Sequence, residues 1–129
     1  MKELKIIGII FLVGICFSYN DGDELTQEKE EKYLNQLFSE IKNLATSENC
    51  SDSTEWTFTS YGHKSCGGPI GFIAYSTNID TDLFLKKIAE HRTAQREFNM
   101  KWGIVSACSV LYPPSGVVCE NGRPFFKYY

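Results

Sequence analysis

Trp56-Thr57-Phe58-Thr59-Ser60-Tyr61-Gly62-His63-Lys64-Ser65-Cys66-Gly67-Gly68-Pro69-Ile70-Gly71-Phe72-Ile73-Ala74-Tyr75-Ser76 is the stretch whose reading decides the fold. Trp56, Phe58 and Ser60 alternate with Thr57, Thr59 and Tyr61. Aromatic and β-branched residues with a period of two predict a β-strand. Residues 70–76 repeat the pattern, with Phe72 and Ala74 opposite Ile73 and Tyr75. Between the two runs, Gly62, Gly67, Gly68 and Pro69 mark a loop. Two glycines before a proline call for a backbone shape that side chains do not permit. The centre of the chain therefore predicts two strands joined by a tight, shaped reversal.

A helix is predicted on either side of this pair. Upstream, Leu34, Leu37, Phe38, Ile41, Leu44 and Ala45 recur with helical spacing, and Glu28, Glu30, Glu31, Lys32, Glu40 and Lys42 fill the other face. This predicts an amphipathic helix of about 20 residues that ends near Ser47. Asp23 and Thr26 are its candidate caps. The charged stretch from Gln27 to Lys32 reads as a solvated face. Downstream, Phe84, Ile88, His91, Gln95 and Phe98 lie along one stripe of a second helix, joined by Leu83 and Leu85. Asn78-x-Asp80-x-Asp82 resembles the start of a calcium loop, but Leu83 stands where glycine is needed and Ala89 where glutamate is needed. Asp80 is better read as the helix N-cap.

The last quarter reads as β structure. Residues 103–112 are strand-like, Pro113-Pro114-Ser115-Gly116 is a turn, and residues 117–120 form a strand. Asn121-Gly122 is a strong hairpin signal. Residues 123–129 would close the fold, with Pro124 confined to an edge or to the strand's first positions. The order α-β-β-α-β-β-β predicts an α+β domain: one antiparallel sheet of four to five strands, with two helices packed on one face.

The N-terminus adds a compartment. Lys2 and Lys5 precede Ile6-Ile7-Gly8-Ile9-Ile10-Phe11-Leu12-Val13-Gly14-Ile15, which carries no charge. A positive start and a short apolar run fit a secretory signal peptide, and the run is too short to span a membrane. Cleavage after Ser18 would leave residues 19–129 as a single domain, secreted or periplasmic. Cys16 offers an alternative: Val13-Gly14-Ile15-Cys16 approaches a lipobox, with Ile15 bulky for its position, so a lipid anchor through Cys16 would make the protein an envelope component.

Export changes how the cysteines are read. Cys50, Cys66, Cys108 and Cys119 remain after cleavage, and an even number in a small exported domain argues for two disulfides. The favoured pairing is Cys50–Cys66 and Cys108–Cys119, each closing a local turn region and each contributing roughly 2–4 kcal/mol. Zinc is the weaker reading, because no C-x2-C pair exists and His63 and His91 are far apart. No metal or cofactor is expected. Removing residues 1–18 takes away two lysines and one glutamate, so the formal charge moves from −3 to −4. That balance gives no electrostatic footprint for nucleic acid and no basic patch for anionic membranes.

Chemistry-bearing motifs are sparse. No Gly-x-Ser-x-Gly elbow is present, and paired cysteines cannot act as nucleophiles. His91 sits on the apolar stripe of a helix and reads as a core or rim histidine. Glu90 and Glu97 can share a helix face, but glycoside cleavage requires them in a cleft. Asn49-Cys50-Ser51 is formally a glycosylation sequon, and a paired Cys50 makes it a poor acceptor. Phe125-Phe126-Lys127-Tyr128-Tyr129 reads first as an edge strand, with a partner-facing aromatic surface as the alternative. The strongest candidate for binding is the loop with His63, Lys64, Gly67, Gly68 and Pro69, since a disulfide-tethered loop loses little entropy on binding. Lys64 could then enter a partner's acidic pocket; otherwise the loop only reverses the chain.

Trp56, Gly62-x-Lys64-x-Cys66-Gly67-Gly68-Pro69, Tyr75-Ser76, Phe98-Asn99, Ser106-x-Cys108, Pro113-Pro114 and Cys119-Glu120-Asn121-Gly122 together resemble a group of small exported bacterial proteins of unassigned function. The resemblance covers roughly residues 56–122 and implies a bacterial setting, with no activity or ligand attached. The first expectation is thus a non-catalytic exported domain that binds a protein or glycan partner, for instance a hydrolase inhibitor. The alternatives are a small hydrolase using a histidine and a carboxylate, and a lipid-anchored envelope component.

Overall fold

Both faces of the central hairpin are apolar, and that determines what surrounds it. The computed structural model describes the chain from Asp23 to Tyr129, with side chains from Thr26 onward. The expected signal peptide, its expected cleavage site and Cys16 lie outside the described residues. By its internal contacts the chain divides into Met1–Glu30 and Glu31–Tyr129. All strands, the second helix and both disulfides belong to the latter unit.

Helix α1 spans Asp23–Ala45, so Thr26 lies within it and is not its cap. Its last carbonyls are capped locally: the Thr46 hydroxyl donates to Lys42 O and the Ser47 hydroxyl to Leu44 O. After a short 3-10 turn, Ser53–Glu55, strand β1 (Trp56–Tyr61) pairs antiparallel with β2 (Gly71–Ser76), with Trp56 opposite Ser76 and Tyr61 opposite Gly71. Helix α2 spans Thr81–Trp102. Asp80 caps it through Oδ1, which accepts from Leu83 N at 3.0 Å. Strands β3 (Gly116–Glu120) and β4 (Arg123–Lys127) form a second antiparallel hairpin. Asn121 and Gly122 both have positive φ, +52° and +77°, which is what the two-residue turn between right-twisted strands requires. Pro124 lies in a strand with only one neighbour, so its missing N–H breaks no ladder on the other side.

The core has two parts, one on each face of the first hairpin. On one face, Tyr75 with Tyr61 and Ile73 packs against Ile41 and Ala45 of α1 and Phe84 and Ile88 of α2. The Tyr75 and Phe84 rings lie 4.5 Å apart. On the other face, Trp56, Phe58 and Ala74 pack against Val117, Cys119 and Phe126 of the second hairpin, and against Cys50. Alternation along the strands sorts the side chains between these faces. Across the helices, Lys87 Nζ reaches Glu40 at 2.8 Å, and Arg92 ties α2 to Ser60 of β1.

The single sheet of four to five strands is corrected. The four strands of the described residues form two separate two-stranded sheets, β1–β2 and β3–β4. The physical reason is the second apolar face: Trp56, Phe58 and Phe72 would be wet in a one-faced α+β sheet, and the second hairpin covers them by stacking rather than by edge pairing. The helices do pack together on one face of the first hairpin. The connection between α1 and β1 is tied to the second hairpin by Cys50 N donating to Gly122 O at 3.0 Å and by the Cys50–Cys119 disulfide.

Candidate functional site

Residues 103–112 were expected as a strand and are not one. Helix α2 continues to Trp102, and Gly103 ends it in the left-handed conformation, φ +59°, with its N–H donating to Asn99 O. From 104 to 114 the chain then runs without helix, strand, turn or bend. An irregular segment needs partners other than a sheet, and it finds them on the 62–70 loop.

The loop is shaped for this. Gly62 adopts φ +75°, and a Cβ there would come within 2.6 Å of Ile70, so two requirements select glycine at this position. Gly67 and Gly68 also have positive φ, which lets Gly67 N donate to Lys64 O at 2.9 Å and Lys64 N to Gly68 O at 3.0 Å. The loop thereby closes on itself and presents its outer groups to the segment. Lys64 Nζ donates to Ser109 O at 2.7 Å, and Ser65 N donates to Ser106 Oγ at 2.8 Å. The Ser65 hydroxyl donates to Ile104 O. Cys66 and Cys108, with Cα atoms 5.9 Å apart, are joined by a disulfide. Beneath, an amide relay steadies the loop: Gln95 Nε2 donates to Asn99 Oδ1 at 2.9 Å, and Asn99 Nδ2 donates to His63 O at 2.8 Å.

The favoured pairing is therefore corrected. The bridges are Cys50–Cys119 and Cys66–Cys108, separated by 69 and 42 residues in the chain. Sequence proximity misled because each cysteine is carried by the chain to a distant element, Cys50 to the second hairpin and Cys66 to the segment after α2. The Lys64 ammonium holds Ser109 O of its own chain and acts there as a strut.

Hollows lie along the clamp. One of about 380 Å³ is lined by His63, Lys64, Gln95, Asn99, Ser106 and Leu111, among others. A second, of about 280 Å³, lies between Gly67, Gly68 and Pro69 on one side and residues 108–111 on the other. All five loop residues singled out in the sequence thus face the same segment. No carboxylate lines either hollow. His91 is 4 % exposed and packs on Phe38, with ring centroids 5.5 Å apart. Burial holds its pKa below the ordinary 6.5, and its Nδ1 makes no hydrogen bond. Among the described residues, no three His, Cys, Asp or Glu side chains converge as metal ligands would. Of the C-terminal aromatics, Phe126 is in the core, whereas Phe125, Tyr128 and Tyr129 are exposed.

What the sequence reading missed is the segment itself. Residues 107–113 are all exposed, and Val105, Val110 and Tyr112 are 92 %, 76 % and 78 % accessible. The available signal was charge: from Gly103 to Cys119 no residue carries one. Comparison with known protein families, with curated proteins and with solved structures finds no match for this chain.

Proposed function

We propose that this chain is a non-catalytic protein-binding domain of an oxidising compartment, and that residues 104–112, braced by the 62–70 loop, are its contact surface. The observation that carries this reading is the exposure of Val105, Val110 and Tyr112 on a segment fastened at Cys108, Ser109, Ser106 and Ile104. Exposing aliphatic side chains to water is unfavourable by about 25 cal/mol per Å², so a partner that covers them gains that amount. Fastening the backbone beforehand removes most of the ordering cost of binding. The side chains are mainly aliphatic, which favours a protein over a sugar ring. Two disulfides and the uncharged run at residues 6–15 support export. Intact mass of the exported protein distinguishes release after Ser18 from a lipid on Cys16.

The surface is tested by placing a photo-crosslinking residue at position 110 and, separately, at exposed position 125. Adducts from 110 that are absent from 125 and disappear when Val105 becomes Asp support the reading. Equal labelling from both positions contradicts it.

A further inference from the structure

We infer that residues 107–113 are a substrate-like strand for a serine endopeptidase with a small apolar primary pocket, that Val110 fills that pocket, and that the chain inhibits the enzyme. This rests on the 104–112 segment being the contact surface.

Endopeptidase clefts take several consecutive residues of a straight main chain, and few folded surfaces supply that. Here residues 107–113 are exposed without interruption, and the chain does not bend between 104 and 114. Val110 and Tyr112 are the most exposed large apolar side chains between 107 and 113, at 76 % and 78 %. Tyr112 is followed by Pro113, whose nitrogen has no hydrogen and whose ring crowds the bond. The bond an enzyme reaches is therefore Val110–Leu111. A β-branched, medium-sized side chain fits a shallow apolar pocket of the elastase kind, and neither the aspartate-based pocket of trypsin nor the deep slot of chymotrypsin.

Anchors on both sides of that bond explain inhibition in place of digestion. Upstream, Cys108 is bridged to Cys66, and Ser109 O accepts from Lys64 Nζ at 2.7 Å. Downstream, Pro114 is buried, and Ser115 donates through N and Oγ to Lys127 O at 2.7 and 2.9 Å. Hydrolysis would add one water across the amide, leaving a carboxylate on Val110 and an amine on Leu111. Neither new end leaves its anchor, so rejoining them, with loss of that water, is intramolecular and competes with product release. The enzyme stays occupied.

The test titrates the full oxidised chain into elastase, chymotrypsin and trypsin, each assayed with a small chromogenic peptide. Inhibition of elastase is expected, weakened at least about tenfold by Val110→Asp, a loss of the order found at interface anchors. Val110→Phe is expected to move inhibition toward chymotrypsin. The Cys66→Ala/Cys108→Ala variant is expected to be cut after residue 110, as read by mass. Full elastase activity in the presence of excess folded chain, or undiminished inhibition by Val110→Asp, overturns the inference. If elastase is untouched while crosslinking from position 110 still exceeds that from 125, the inhibitor assignment fails and the contact surface stands.

Discussion

Cys50–Cys119 lies inside the molecule, among Trp56, Val117 and Phe126, and ties the connection before β1 to strand β3. Cys66–Cys108 lies on the surface, and both of its cysteines sit in irregular chain. The loop-closure entropy of the unfolded chain is nearly the same for both, about 4 kcal/mol, because it depends only on the logarithm of loop length. The difference between the bridges is in the folded state. Cutting the inner bridge leaves a defect among packed side chains. Cutting the outer one frees a segment that contributes little to the core, and the entropy this segment gains in the folded state offsets what the unfolded chain gains. One disulfide holds the fold together, and the other holds a surface in shape.

The comparison breaks first if the inner bridge proves dispensable. Cys50→Ala/Cys119→Ala is expected to lower unfolding free energy by about 4 kcal/mol, measured by urea denaturation. The outer pair, Cys66→Ala/Cys108→Ala, is expected to cost only about 1–2 kcal/mol, with local opening of 104–112 in place of global loss. Equal losses would show that the segment is part of the cooperative core. Acid separates the regions further. His91 is buried with its pKa depressed, so the unfolded chain takes up a proton near 6.5 that the folded chain refuses. Stability contributed by neutral His91 is complete above that pH and falls below it, until the pH passes the folded value. In His91→Leu the change in unfolding free energy between pH 7.5 and 5 is expected to be smaller than in the parent, while the shape of 104–112 is unaffected. The smallest effect belongs to Val110→Asp, expected within about 0.5 kcal/mol of the parent because the side chain is already in water.

Much of the regular structure was legible because its signals are local. Asp80 at the start of α2, Asn121-Gly122 between β3 and β4, and the alternation of residues 56–61 and 71–76 each act within a few residues. The loop residues His63, Lys64, Gly67, Gly68 and Pro69 were also legible as a group, because glycines with positive φ leave a mark in sequence. The rest depends on distant encounters. Alternating hydrophobicity in residues 103–112 looks like a strand whether or not a neighbouring strand is present, and here Gly103 turns the chain away from one. Cysteine pairing depends on which elements stack, and the stacking of the second hairpin follows from the aromatic outer face of the first. The Lys64 bond shows the same limit: it runs to a carbonyl 45 residues away in its own chain.

The central claim is that the Cys66–Cys108 bridge and the Lys64 and Ser65 hydrogen bonds hold residues 105–112 rigid while leaving them exposed. Backbone 15N relaxation of those residues in the oxidised chain measures this directly. The account predicts order parameters near the rigid-backbone value of about 0.85, falling below about 0.6 in Cys66→Ala/Cys108→Ala. Order parameters below about 0.6 in the intact, oxidised chain would contradict it.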